Sequence, residues 1–304
     1  MKGIKKILAF SLVAIISMSF FIGCSNRKSD KKVGIVLSTL NNPFFVSMKE
    51  GAEKEAEKLG FELIVLDSQN DPAKERSNVE DLIQLGVVAL LINPTDSDAV
   101  VKSVEVANEA NIPVITLDRQ SNGGEVTSHI ASDNIKGGAM AAEFVLEKLG
   151  TEANINVVEL QGIPGASATR DRGAGFHSIL DDKTNVKFVS SQAADFDRQK
   201  GLSVMENILQ GNSDVQVVFA HNDEMALGAA KAIGTSNVKA MVIGFDGNED
   251  ALDAVEKGEM IATVAQQPDL IGALGVELAL KIYNGEAVDK EIAADLKIVS
   301  NQNY

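Results

Sequence analysis

One cysteine, Cys24, stands in 304 residues, so the chain has no internal disulfide. Tryptophan is absent and only Tyr283 and Tyr304 carry phenols, which leaves ring stacking to twelve phenylalanines. The three histidines, His129, His177 and His221, are far apart, and none has a metal-ligand partner at helical spacing. The pattern GxxxxGK[ST] is missing, and Gly162, Gly165, Gly173 and Gly175 do not form a GxGxxG array, which disfavours a nucleotide enzyme. Basic residues are outnumbered 28 to 43, for a net charge of −15, so the basic footprint of a nucleic-acid binder is missing too.

The only long apolar run, Ile7 to Ile22, falls short of the about 20 residues that a membrane span needs. It follows Lys2, Lys5 and Lys6 and ends in Phe21-Ile22-Gly23-Cys24-Ser25. A basic start, a short apolar stretch and a small residue before a cleavage point make a secretory signal. The run's end resembles a bacterial lipobox, with Phe21 where Leu is usual. Residues 1–23 are therefore expected to be a lipoprotein signal peptide, Cys24 the lipidated first residue, and residues 24–32 a polar tether. A thioether lipid would anchor the protein to the cell membrane from outside the cytoplasm without spanning it.

About 270 residues remain, enough for two domains of ordinary size. Short runs rich in Val, Ile and Leu alternate along them with segments whose apolar residues recur every three or four positions. Ten strands are expected, from Val33–Ser38 to Ile261–Val264, with helices such as Val46–Leu59, Gly137–Leu149 and Leu270–Tyr283 between them. Near-continuous apolar strands are those covered on both faces by helices. The pattern predicts an α/β protein with two doubly wound parallel-sheet lobes.

Open parallel sheets bind ligands beyond the carboxyl ends of their strands. There the sequence places Ser38 to Phe45, Asn93 to Asp96, Asp118-Arg119-Gln120 and Ser132-Asp133-Asn134. The second half adds Gln161-Gly162-Ile163, Asp195-Phe196-Asp197, His221-Asn222-Asp223, Phe245-Asp246-Gly247 and Gln266-Gln267-Pro268. Carboxylates, amides, an arginine and phenylalanines suit a sugar, whose hydroxyls donate and accept while its C–H faces lie against rings. Singly, each has another reading. Asn42 and Asn222 could cap helices, Phe44 and Phe45 could be core, Asp118-Arg119 could be surface charge, and Phe245-Asp246-Gly247 could be a turn.

Together these stretches resemble the type I periplasmic sugar-binding family, and the resemblance runs from about Val33 to Val299. The matching motifs are Ser38-Thr39-Leu40-Asn41-Asn42-Pro43-Phe44-Phe45, Asn93-Pro94-Thr95-Asp96, Leu117-Asp118-Arg119-Gln120, Asp195-Phe196-Asp197-Arg198 and Asn222-Asp223-Glu224-Met225. The resemblance implies D-ribose or a related monosaccharide as ligand, held between two lobes. Phe44, Phe45 and Phe196 would pack on its faces. Asn42, Asn93, Asp118, Arg119, Arg172, Asn222, Asp246 and Gln266 would bond its hydroxyls, with Ser38, Ser132, Ile163 and Phe245 lining or supporting the site. Arg170, two residues from Arg172, is not separated from it by spacing alone.

The resemblance also implies a three-segment hinge, with residues 33–132 plus 267–294 in one lobe and 133–266 plus 295–304 in the other. The expected partners are an ABC-type permease in the membrane and a chemoreceptor. The protein is expected to be a monomer with no cofactor, no metal and no enzymatic activity. A receptor of the same fold for another pentose, a hexose or a furanosyl signal molecule is the alternative. A sugar-responsive transcription regulator would need a DNA-binding segment where this chain carries its signal.

Overall fold

The computed structural model describes residues 31–301. The expected signal segment, Cys24 and nearly all of the tether lie outside the described residues, as do the last three residues. No helix of the described residues is long and apolar enough to cross a membrane.

Five strands open the first sheet: β1 Lys32–Leu37, β2 Glu62–Asp67, β3 Ala89–Ile92, β4 Val114–Leu117 and β5 Ser128–Ser132. The next five build a second sheet: β6 Ile155–Gln161, β7 Val186–Ala193, β8 Val217–Ala220, β9 Met241–Asp246 and β10 Ala262–Ala265. The last two strands divide. β11 Glu291–Ala294 returns to the first sheet and β12 Lys297–Ser300 joins the second, giving orders β11-β5-β4-β3-β1-β2 and β12-β10-β9-β8-β6-β7. Every pairing is parallel except β10 with β12. Two parallel α/β lobes result, as the alternating pattern predicts.

The two short end strands are the additions to the ten expected. Each is four residues long, EIAA and KIVS, and at a sheet edge. An edge strand needs only one apolar face and little of it, so no apolar block marks it in the sequence.

The helices are α1 Pro43–Leu59, α2 Pro72–Gln84, α3 Val101–Glu109, α4 Asn134–Leu149 and α5 Ser167–Leu180, then α6 Arg198–Gly211, α7 Asp223–Gly234, α8 Glu249–Glu256 and α9 Pro268–Tyr283. Several start a turn earlier than apolar periodicity predicts, because polar caps recruit the preceding residues. Asn42 Oδ1 accepts from the Phe44 N–H at 2.9 Å, and Asp133 Oδ1 accepts from the Lys136 N–H at 2.9 Å. Pro43, Pro72 and Pro268 occupy first-turn positions, where the missing N–H costs nothing.

Burial of the strands is complete where helices cover both faces. Ile35, Leu37, Leu91, Ile115 and Leu117 form one core of the first lobe with Met48 of α1 and Ile271 of α9. In the second lobe, Val157, Val217, Phe219 and Ile243 pack against Phe176 of α5 and Val145 of α4. Phe176 and Phe219 lie stacked with ring centroids 4.2 Å apart.

Helices α1 and α9 approach so closely that Gly272 has no room for a side chain. A Cβ there would overlap the Met48 carbonyl oxygen and lie 2.9 Å from its carbon, both of them backbone that cannot step aside. Gly272→Ala should therefore lower stability by about 1–3 kcal/mol, read as a reduced midpoint in thermal or urea unfolding.

Candidate functional site

Both sheets share one strand order, with the first strand flanked by the second and third. The reversal of strand order opens a crevice beyond β1 and β3 in one sheet and beyond β6 and β8 in the other. At the first crevice Asn93 ties the loops together. Its Oδ1 accepts from the Ser38 N–H at 3.2 Å, and its Nδ2 donates to the Leu117 carbonyl at 3.0 Å and to Asp118 Oδ2 at 3.3 Å.

Between the crevices lies a narrow space walled by Asn42, Phe44, Phe45, Asp118, Arg119, Ala168, Arg172, Phe196, Asn222 and Asp246. Four of these are ionisable, and none of the four is more than 4% exposed. Arg172 donates from Nε to Asn134 Oδ1 at 2.8 Å and from NH1 to the His221 carbonyl at 2.6 Å. The same guanidinium lies 3.5 Å from Asp246 Oδ1 and 3.9 Å from Asp118 Oδ1, and its centre is 3.9 Å from the Phe245 ring centroid. Arg119 donates to the Pro94 carbonyl at 3.1 Å, and its guanidinium centre sits 5.1 Å from the ring centroids of both Phe45 and Phe196.

Backbone strain collects here. Asp118 has φ 62°, Asp195 53°, Phe196 60° and Asp246 128°, all in the left-handed half that side chains other than glycine avoid. Such strain persists only where surrounding structure over-determines it, and it concentrates at functional sites.

The expected residues thus divide. Nine of the fifteen stand in the wall of the space, namely Asn42, Phe44, Phe45, Asp118, Arg119, Arg172, Phe196, Asn222 and Asp246. Gln266 stands behind, donating to Asp246 Oδ1 at 2.9 Å, while Phe245 backs Arg172 and Asn93 backs Asp118. Ser38 is buried beside Asn93. Ser132 lines a separate pocket beside the β5 end, and Ile163 lines the outer mouth next to Phe196. Arg170 turns away and donates to the Gly165 carbonyl, which separates it from Arg172.

Caps and wall residues are not alternatives here. Asn42 and Asn222 cap α1 and α7 through Oδ1 while also facing the space. Phe44 and Phe45 likewise belong to the lobe core and to the wall at once. Asp118 and Arg119 are buried rather than surface charges.

A family model, the periplasmic binding protein domain, matches residues 33–287. The chain belongs to the periplasmic binding protein family. It is 57% identical over 274 residues to the Ribose import binding protein RbsB of Bacillus subtilis (strain 168), covering 90% of this chain and 88% of that one. It is 54% identical over 294 residues to the protein of the same name in Escherichia coli (strain K12), covering 96% and 98%. Among solved structures, a Caulobacter myo-inositol binding protein bound to myo-inositol superposes with TM-score 0.86 at 32% identity, covering 92% of this chain and 97% of that one. Membership makes the protein an extracytoplasmic, non-enzymatic solute-binding component of an ABC importer with a sugar as its solute.

Two features of this periplasmic binding protein escape a sequence reading. Ala168, in the first turn of α5, is part of the wall, but a methyl group carries no chemical signal. Buried acids behind the wall also aim its loops. Asp223 accepts from the Gly247 and Asn248 N–H groups at 2.7 and 2.8 Å and from the Thr263 hydroxyl at 2.7 Å, fixing the turn after Asp246. Burial pushes its carboxyl up to about 7 against those hydrogen bonds. Burial also raises Asp246 well above the ordinary carboxylate range, with Arg172 opposing it.

Glu159 sits under the second crevice with its side chain fully buried, 3.0 Å from His221 Nε2, and accepts from Gln161 Nε2 at 2.8 Å. Burial would raise its carboxyl, but the His221 and Gln161 hydrogen bonds outweigh this and hold it down at about 2. Burial keeps His221 below its usual range, with the Glu159 hydrogen bond and charge opposing it. A depressed carboxyl stabilises the fold above its unfolded value of 4.5, and that contribution is lost as pH falls through about 2. Glu159→Gln should lower stability at neutral pH and flatten the decline below pH 4.5 in urea unfolding across a pH series.

Proposed function

We propose that this protein captures D-ribose between its lobes and delivers it to its ABC importer. The observation that carries the reading is the buried quartet of Asp118, Arg119, Arg172 and Asp246 flanked by phenylalanines around one narrow space. Asp118 Oδ1 and Arg119 Nε are buried without a hydrogen-bond partner, so this wall offers one strong acceptor and one strong donor. Hydroxyl groups use both, and a charged partner makes each bond roughly twice as strong as a neutral one. Phe44, Phe45 and Phe196 supply the apolar faces against which a sugar's C–H groups lie. Identities of 52–57% to ribose import binding proteins favour ribose over other monosaccharides.

In this reading residues 33–132 plus 267–294 close against residues 133–266 plus 295–304. Three connections hinge them, near Ser132-Asp133, Gln266-Gln267 and Asp295. The sugar favours the closed arrangement because its hydroxyls then meet groups of both lobes at once. The importer, and in a second role a chemoreceptor, reads that closed form. A lipid on Cys24, following a cleaved signal of residues 1–23, keeps the receptor at the membrane. Mass spectrometry of the protein from its cell membrane tests this, because an unmodified Cys24 or an uncleaved signal removes the anchor.

Isothermal titration with D-ribose should give one-to-one binding, with arabinose, xylose, allose and glucose competing weakly; absence of heat with ribose would remove ribose as the ligand. Asp118→Ala should weaken ribose binding by about 1–3 kcal/mol, because it strands buried donors. Unaltered affinity in that variant would sink the assignment of the wall.

A further inference from the structure

We infer that the lobes carry a latch that does not involve the sugar, made by Asp96, Ser97 and Gln120 against Gly165 and Ser167, and that it sets the affinity for a ligand these residues never touch. The inference rests on capture by lobe closure as proposed above. Away from the connections between the lobes, two hydrogen bonds among the described residues cross directly from one lobe to the other. The Ser97 N–H donates to the Gly165 carbonyl at 3.0 Å, and the Gln120 N–H donates to Ser167 Oγ at 2.9 Å. Ser97 and Gln120 follow β3 and β4 of the first sheet, whereas Gly165 and Ser167 follow β6 of the second. None of the five residues lines the enclosed space.

Both faces of the latch are held from behind. Asp96 Oδ1 accepts from the Asp98 and Ala99 N–H groups at 2.9 and 2.8 Å, and the Asn122 N–H donates to the Ser97 carbonyl at 2.8 Å. One residue earlier, the Thr95 N–H donates to the buried Glu75 at 2.6 Å. On the opposite face the Gly165 carbonyl also accepts from Arg170, and the Ala166 N–H bonds back to Ile163. Rigid, pre-aimed partners lose little entropy when they meet, so two such bonds bias the lobes toward closure before any sugar arrives.

Gly165 is where the fit is tightest. A Cβ there would overlap Asp96 Oδ2, and the cap made by the other oxygen stops that carboxylate from swinging away. Gly165 is not among the residues of positive φ, so its own backbone accepts alanine. The cost of Gly165→Ala therefore falls on the contact between lobes and on neither lobe alone. Apparent affinity scales with the fraction of protein in the competent closed form, so opening the latch weakens the sugar with its contacts intact.

The test compares the parent, Gly165→Ala and the double variant Gly165→Ala/Asp96→Ser by isothermal titration with D-ribose and by stopped-flow dissociation. Serine keeps an accepting oxygen for the Asp98 and Ala99 N–H groups and withdraws the one that meets the new methyl. Gly165→Ala should raise Kd by about tenfold or more, mainly through faster dissociation, while the sugar-free melting temperature stays at the parent's. The double variant should recover most of the loss. Parent-like affinity in Gly165→Ala, or no recovery in the double variant, overturns the latch. If Gly165→Ala does not fold, Ser167→Ala takes its place, with a several-fold rise supporting the latch and no change overturning it. A parent that does not bind ribose removes the functional reading instead, and the same comparison on whichever sugar of the panel binds decides the latch.

Discussion

Two arginines and two aspartates share a gap between the sheets from which water is nearly excluded. Taking one charge out of water costs several kcal/mol even after relaxation, so such a group survives only if paired and hydrogen-bonded. Much of the surrounding structure meets that requirement. Asn134, the His221 carbonyl, the Pro94 carbonyl, Asn93 and Gln266 each give one bond to a member of the quartet. Strained φ values at Asp118, Asp246 and Phe196 are the backbone cost of aiming those groups inward. The bonds left unmade, at Asp118 Oδ1 and Arg119 Nε, are the groups with most to gain from a ligand.

Topology makes the arrangement possible. Each sheet reverses strand order after its first strand, and the reversal leaves a crevice where loops can carry side chains without being covered by helices. Two such crevices brought face to face give a site with walls from both lobes. Neither lobe alone has the full complement: Asp118 and Arg119 come from the first, Arg172, Asn222 and Asp246 from the second. The latch of Ser97 and Gly165 lies outside that chemistry, so evolution can tune closure and contact separately. In the proposed closure a ligand shifts the lobes only by its preference for the closed form, and the latch sets how far the shift must go.

Legibility in the sequence followed how local each cause is. Strands such as Ala89–Ile92 and Val217–Ala220 are buried throughout, and their unbroken apolar runs betray it. Helices with polar caps were readable to within a turn, because the cap is a neighbour in sequence. The edge strands β11 and β12 were not, since partners far along the chain define them. The wall was legible wherever its residues follow a strand and bear distinctive groups, as Asp118-Arg119 and Asn222 do. Ala168 and the supports Asp223 and Glu159 were not, because a methyl group is mute and the work of a buried carboxylate depends on what folds around it.

By itself, then, the sequence determined the α/β class, the number of sheets and the kind of ligand its strand-end groups suit. Periodicity and strand-end composition are short-range properties, and they are written into the chain directly. Only the tertiary structure decided between Arg170 and Arg172, set Ser132 in a neighbouring pocket that shares Asp118, made Asn42 a cap and a wall together, and pressed Gly165 against Asp96. Each of these depends on distances between segments tens of residues apart, which are fixed only when the chain packs.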